Sequence, residues 1–118
     1  MLSFTSEQIE AIGEKQFLAR LTEYMANGFP GAGEKLRTPI GQATLEKVLA
    51  DARIYGLETE LELAYYAMVA WNMGVDFHSK LPAFYEILTS KTRSPSQKAD
   101  EIQKLAHAIL KTLEDSMK

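Results

Sequence analysis

Residues 59–74 read TELELAYYAMVAWNMG, and this stretch is the best guide to the fold class. Thr59 and Glu62 have the spacing of a capping box, in which each side chain satisfies a backbone N–H that the first helical turn leaves unpaired. Gly74 is a residue that favours the end of a helix. The apolar residues between them occupy more than one helical face, which is typical of a helix buried on most sides. We therefore predict a central apolar helix over about residues 60–73.

Similar signals predict four more helices. Capping boxes are expected at Thr5 with Gln8 and at Ser94 with Gln97, and Thr38 precedes a proline suited to the first helical position. The predicted helices cover about residues 5–27, 38–55, 82–89 and 94–116. No segment alternates apolar and polar residues with the period of a strand. The sequence thus predicts an all-α, single-domain bundle of about five helices over residues 1–118.

The last predicted helix has a regular apolar stripe. Each member lies three or four residues from another, as one face of a helix requires: Ile102, Leu105, Ala106, Ile109, Leu113 and Met117. Small helical proteins often complete their cores by pairing. A homodimer through this face is one expectation, and the sequence leaves the oligomeric state open.

Composition narrows the class of protein. The chain has 118 residues, of which 46% are hydrophobic and 25% charged, as expected for a globular domain. It has no cysteine, which excludes disulfides and thiolate chemistry. The net charge of −3 comes without a dense basic face, so we expect no nucleic-acid binding. The N-terminus lacks a secretory pattern, and the apolar run of residues 61–73 is too short to span a bilayer, so we expect a cytoplasmic protein that does not bind membranes.

Residues 28–35, GFPGAGEK, resemble a phosphate-binding loop only superficially. A lysine should follow the second glycine directly, but Glu34 stands there and Lys35 comes one residue late. The segment also follows a helix, whereas a phosphate loop follows a strand. We interpret it as a loop between helices and expect no bound nucleotide or other cofactor.

Asp76 and His78, in the segment GVDFHSK, are the most plausible catalytic or metal-binding pair. A carboxylate can orient an imidazole for proton transfer, and both groups bind divalent metals. A metal site needs a third ligand, and the only other histidine, His107, lies far along the chain. We favour a structural role and predict no catalytic residues, no metal site and no enzymatic activity. The enzyme hypothesis remains the minor alternative.

Acidic and aromatic residues suggest a different role. Glu58, Glu60 and Glu62 complement the positive end of a helix dipole, and the same cluster could serve as a docking surface. Seven rings lie between residues 55 and 85, and either all are core or some form a protein interface. On the interface hypothesis the predicted partner-binding residues are Tyr55, Glu58, Glu60, Tyr66, Trp71, Asp76 and Phe77.

Part of the chain, about residues 29–77, resembles a family of small helical bacterial proteins encoded beside type VI secretion adaptor and toxin genes. The residues that carry the resemblance are Phe29-Pro30, Ala52-Arg53-Ile54-Tyr55-Gly56-Leu57, Glu60, Tyr66 and Gly74-Val75-Asp76-Phe77. The resemblance implies a co-chaperone or co-adaptor that helps load a toxin, or an immunity protein. It implies no catalytic residues.

Two functional hypotheses follow. The first is a non-catalytic module that binds a larger secretion effector or its adaptor. The second is an immunity protein, in which Glu58, Glu60, Glu62 and Asp76 would suit the basic cleft of a nuclease toxin and speed its capture.

Overall fold

The computed structural model describes the backbone of residues 6–117 and the side chains of residues 13–117. That part of the chain contains seven α-helices and no strand, which confirms the all-α class. In chain order they are α1 (Ser6–Gly28), α2 (Ala32–Leu36), α3 (Pro39–Ile54), α4 (Glu60–Met73), α5 (Phe77–Lys80), α6 (Pro82–Leu88) and α7 (Pro95–Ser116). The five predicted helices correspond to α1, α3, α4, α6 and α7.

The helix ends follow the predicted local chemistry. Both hydrogen bonds of the capping box are present at the start of α4 and at the start of α7. The hydroxyl oxygen of Thr38 caps α3, where it accepts a hydrogen bond of 2.9 Å from the backbone N–H of Gly41. Gly56 follows α3 with a φ of 89°, the left-handed conformation that favours glycine at a helix end. The predicted box of Thr5 and Gln8 lies outside the residues whose side chains are described.

Two short helices, α2 and α5, were not predicted. The first covers the second half of the segment GFPGAGEK, which was interpreted as a loop, and ends one residue beyond it; the second lies inside GVDFHSK. Neither carries a side-chain cap, and isolated helices this short are unstable in water. They are held by burial instead: Ala32 and Leu36 are buried in α2, and Phe77 is buried in α5.

The contacts of the chain divide it into two compact units, Met1–Glu46 and Lys47–Lys118. The boundary falls inside α3, which runs from one unit into the next. The single domain expected over residues 1–118 stays a prediction.

In the first unit α1 packs on α2. A small hydrogen-bond network joins three helices. The buried hydroxyl of Thr22 donates a hydrogen bond of 2.7 Å to the carbonyl oxygen of Leu18 and accepts one of 3.0 Å from the amide of Gln42. The same amide donates to the carbonyl oxygen of Leu36 at 2.7 Å. The start of α3 is thereby tied to both α1 and α2. The buried apolar residues are Phe17, Leu18, Leu21, Met25, Ala32, Leu36 and Leu45.

In the second unit α4 packs along α7, and α6 packs on α5 and α7. The rings of Tyr66, Phe77 and Phe84 form a buried aromatic cluster, with centroids 4.9 and 5.2 Å apart in succession. The predicted central helix is therefore the principal core helix of this unit. Its buried residues are Leu63, Tyr66, Ala67, Val69 and Ala70. Those of α7 are Ala99, Ile102 and Ala106.

Candidate functional site

The acidic residues before and at the start of α4 are organised by the capping box. One carboxylate oxygen of Glu62 accepts hydrogen bonds from the backbone N–H groups of Glu58, at 3.0 Å, and Thr59, at 3.2 Å. The hydrogen bond from Glu58 is the main cause of a lowered pKa for Glu62. Glu58 and Glu60 are exposed. The cluster therefore has the structural role predicted for it and also presents two carboxylates at the surface.

An open groove of about 640 Å³ lies beside this cluster, between the N-terminal ends of α4 and α7. Leu61 and Tyr65, one helical turn apart on α4, form one wall, and Leu61 is 63% exposed. Ala99 of α7 is buried at the base. We call this feature the α4–α7 groove; its other lining residues are Thr59, Glu62, Ser96, Gln97 and Asp100.

Two of the predicted partner-binding residues lie in the core. Tyr66 is fully buried and Phe77 is 1% exposed, so neither can contact a partner in the folded protein. The α4 sequence did not show this burial, because that helix is apolar on most sides. Tyr66 is buried against the rings of Tyr55 and Phe77, and Leu61 is left exposed instead. Partner binding by Tyr55, Glu58, Glu60, Trp71 and Asp76, which are half-buried or exposed, stays a prediction.

The structure does not join Asp76 and His78 in a direct contact. Asp76 instead forms an ion pair of 2.8 Å with Lys80, one turn further on, and the hydrogen bond from that ammonium group lowers the pKa of Asp76. His78 points to Asp51 and Tyr55 at the end of α3. Its Nδ1 lies 2.7 Å from the hydroxyl oxygen of Tyr55, and its Nε2 lies 3.6 Å from a carboxylate oxygen of Asp51.

Asp51, Tyr55 and His78 form a polar cluster that sequence reasoning missed. The carboxylate beside Nε2 favours the tautomer with its proton there, so Nδ1 accepts the hydrogen bond of the Tyr55 hydroxyl. Lys47 also pairs with Asp51, at 3.1 Å. The spacing of residues 47, 51 and 55 is four, so these side chains share one side of α3 and its end. The four-residue spacing could have indicated that Lys47, Asp51 and Tyr55 lie together, but no nearby residue indicated that His78 joins them.

Asp51, His78 and Tyr55 follow one another as the carboxylate, imidazole and hydroxyl of an acid–base relay do, but the surroundings do not activate the Tyr55 hydroxyl as a nucleophile or base. Burial, followed by the neighbouring Tyr85 and Asp51, raises the pKa of Tyr55 above its ordinary value. Burial likewise raises the pKa of Tyr66, whose ring centroid lies 6.5 Å from that of Tyr55. Since a nucleophilic or basic phenol needs a lowered pKa, this environment favours the neutral hydroxyl.

Two surface grooves lie away from this cluster. The second groove, next to the α4–α7 groove, is lined by Thr92, Arg93, Gln97, Asp100 and Glu101. Neither groove is lined by Asp51, Tyr55 or His78. Over the described residues, no group of three histidine or carboxylate side chains is placed to hold a metal ion.

The last three turns of α7 carry a second exposed feature. The apolar stripe predicted for this helix is buried at Ile102 and Ala106 and half-buried at Ile109. It then becomes exposed, with Leu113 54% and Met117 86% accessible to solvent. We call Ile109, Leu113 and Met117 the α7 stripe. Within the described chain, no helix combines the length and the apolar character needed to cross a membrane.

Comparison with known proteins gives no relative from which a function could be transferred. No protein-family model, curated protein or solved structure matches this chain. The functional proposal therefore rests on the geometry and on the resemblance of residues 29–77.

Proposed function

We propose that this protein is a non-catalytic protein-binding module of the bacterial cytoplasm, a co-chaperone or co-adaptor that binds a larger secretion effector or its adaptor. The observation that carries the proposal is the α7 stripe. It continues the apolar face that α7 uses to pack on α4, but its last two members are exposed. Full burial of such side chains contributes about 1.5–3 kcal/mol each, so a partner that covers them gains substantially.

The state of the polar cluster supports a role without catalysis. The best candidate nucleophile is Tyr55, and its surroundings raise its pKa instead of lowering it. Its hydrogen bond with His78 connects two segments that are 23 residues apart in the chain, and such a link stabilises the fold. We propose that the Asp51–His78–Tyr55 cluster stabilises the fold and takes no part in a reaction.

The test is co-purification from the native host with the tagged wild-type chain and with a double variant, Leu113→Gln with Met117→Gln. We expect a stoichiometric larger protein with the wild type and at least tenfold less of it with the double variant. Lys111→Gln is the matched control, because residue 111 points about 200° away from residue 113 around the helix. Retention of the partner by the double variant would show that the α7 stripe is not the contact.

The alternative function is an immunity protein that neutralises a toxin. The exposed carboxylates of Glu58 and Glu60 favour it, since an acidic surface speeds the capture of a basic nuclease. Growth of cells that produce the toxin, with and without this protein, separates the two functions. An adaptor would not restore growth, whereas an immunity protein would, and Glu58→Gln with Glu60→Gln would then slow toxin association.

A homodimer is the further possibility that the α7 stripe supports, because two antiparallel copies would cover each other's exposed leucine and methionine. Sedimentation equilibrium of the wild type and of Leu113→Gln with Met117→Gln measures it. A dimer that the substitutions dissociate would assign the stripe to self-association. A monomer in both cases would leave the stripe to a different protein.

A further inference from the structure

We propose that Met117 is a site of reversible oxidation, and that its conversion to a sulfoxide by a peroxide releases the partner from the α7 stripe. The release rests on the proposed function, since the partner is the protein that the stripe binds. The oxidation concerns this chain alone and can be measured without a partner. Partner binding would thereby depend on the redox state of one side chain.

Met117 is the most accessible methionine among the residues that the structure describes. The sequence has five methionines, and the side chains of all but Met1 are described. Met25 is 1% exposed, in the core of the first unit, and Met68 and Met73 of α4 are half-buried. Met117 is 86% exposed. Because a peroxide has to reach the sulfur atom, an exposed methionine reacts before a buried one, and Met117 should be oxidised first of these.

The backbone fixes Met117 at the end of α7. Its N–H donates to the carbonyl oxygens of Leu113 and Glu114, both at 3.2 Å, and its backbone keeps the right-handed helical conformation. Residues 113 and 117 are therefore neighbours one turn apart on the helix surface. Oxidation of Met117 thus changes the same apolar surface that Leu113 forms, which is the exposed part of the α7 stripe.

The oxidation needs only hydrogen peroxide as the second reactant. A lone pair of the Met117 sulfur forms a bond to one peroxide oxygen, and the O–O bond breaks. The other oxygen leaves as water with both hydrogen atoms. The sulfur is oxidised by two electrons, the peroxide is reduced by two, and the product is methionine sulfoxide. Methionine sulfoxide reductases restore the thioether, so the change is reversible.

The sulfoxide alters the α7 stripe without disturbing the core. Its oxygen accepts hydrogen bonds, and covering it with an apolar surface that suits Leu113 would leave it without a donor. Because Met117 is exposed, the same oxygen stays hydrated in the free protein. Oxidation therefore penalises the complex and leaves the fold unchanged. A sulfoxide at Met25 would instead place a polar group in the core of the first unit.

The first experiment treats the purified full chain with increasing hydrogen peroxide and maps the sulfoxides by mass spectrometry of its peptides. We expect Met117 to be oxidised at least about threefold faster than Met68 and Met73, and Met25 to react last. The helical signal in circular dichroism should be unchanged when Met117 alone is oxidised. A rate at Met117 no higher than the rates at Met68 and Met73 would overturn the proposal.

The second experiment repeats the co-purification with the immobilised chain, oxidised at Met117 and incubated in a desalted lysate of the native host. We expect the oxidised wild type to capture at least about threefold less partner than the untreated chain, and a methionine sulfoxide reductase to restore the capture. The matched control is Met117→Leu, which keeps an apolar side chain of similar volume without a sulfur atom. Peroxide treatment of Met117→Leu should leave its capture of the partner unchanged.

Two results of the co-purification would overturn the proposal: equal capture by the oxidised and untreated wild type, or an equal loss after treatment of Met117→Leu. If Leu113→Gln with Met117→Gln still loses the partner in either case, only the redox control is wrong and the proposed function stands. If that double variant keeps the partner, the α7 stripe is not the contact and both proposals fail.

Discussion

Two tyrosines of the second unit, Tyr66 and Tyr55, differ in how their hydroxyl groups are satisfied. The hydroxyl of Tyr66 is buried and has no hydrogen-bond partner within the described part of the chain. That of Tyr55 is bonded to His78 at 2.7 Å. A buried hydroxyl without a partner costs about 1–3 kcal/mol, whereas a made hydrogen bond contributes about 1 kcal/mol. The ring of Tyr66 is needed for packing against Phe77, but its oxygen is not.

We therefore predict opposite effects for two chemically identical substitutions. Tyr66→Phe should leave the free energy of unfolding unchanged or raise it by up to about 1 kcal/mol, because only the unpaired oxygen is lost. Tyr55→Phe should lower it by about 1 kcal/mol, because the hydrogen bond to His78 is lost. Urea denaturation measures both values. A clear loss of stability in Tyr66→Phe would mean that this hydroxyl is paired in solution.

The first turn of α3 approaches the end of α2 so closely that only glycine fits at position 41. A Cβ atom there would overlap the carbonyl oxygen of Lys35 and lie 2.8 Å from the Cα of Leu36. Both contacts are with backbone, which cannot move aside as a flexible side chain can. This close approach brings α3 within reach of the amide contact that Gln42 makes to Leu36.

Because α3 lies so close to α2 at this point, we predict that Gly41→Ala lowers the free energy of unfolding by about 2–3 kcal/mol, as overpacking does. Gly13→Ala is the matched control, since a Cβ at residue 13 meets no atom within 4 Å. That control should stabilise α1 by about 0.5–1 kcal/mol, the usual gain from replacing glycine inside a helix. Thermal and urea unfolding measure both variants. Equal changes in the free energy of unfolding of Gly41→Ala and Gly13→Ala would contradict the close approach of α3 to α2.

The start of α4 should make stability depend on pH through Glu62. Its pKa in the folded protein is lowered, so it binds a proton less readily there than in the unfolded chain. Its contribution is then fully present above the ordinary value of 4.5 and is lost as the pH falls through the lowered folded pKa. The stabilised pH range is therefore the one above the ordinary pKa.

We predict that the variant Glu62→Gln weakens this dependence. The amide oxygen of glutamine can still accept the capping hydrogen bonds, but it does not titrate. Between about pH 6 and about pH 3, the free energy of unfolding of the variant should fall less than that of the wild type. An equal fall in the two proteins would show that Glu62 does not contribute to acid unfolding.

At the scale of the whole molecule, the boundary between the two compact units lies within one continuous helix, α3. Unfolding of the first unit alone would unfold residues 39–46 of that helix. The carbonyl groups of residues 43–46 accept the helical hydrogen bonds of residues 47–50, so the first turn of α3 in the second unit would lose its backbone partners. We therefore expect the two units to unfold together.

Trp71, the only tryptophan, reports on the second unit, whereas Gly41 lies in the first. We predict that Gly41→Ala shifts the unfolding midpoint followed by Trp71 fluorescence as much as the midpoint followed by circular dichroism. If the fluorescence transition stayed at the wild-type midpoint while the circular dichroism transition broadened, the units would unfold separately. The expected single domain would then be two.

Most of the helical architecture could be predicted, because helix boundaries depend on nearby residues. The capping boxes that start α4 and α7, and the glycines that follow α3 and α4, act over one turn and can be recognised in the chain. The missed helices α2 and α5 lack such caps and depend on burial of Ala32, Leu36 and Phe77. Burial depends on neighbours elsewhere in the fold, so no local pattern predicted them.

The candidate sites were less predictable than the helices, and α4 and His78 show why. The sequence by itself determined the fold class, the main helix ends and the apolar stripe of α7, since these depend on interactions between residues close in the chain. Only the tertiary structure decided that Tyr66 is buried while Leu61 is exposed, because α4 is apolar on most sides and only the folded chain brings the rings of Tyr55 and Phe77 against Tyr66. The tertiary structure likewise brought His78 to Asp51 and Tyr55, across a separation in the chain that helical spacing does not reach.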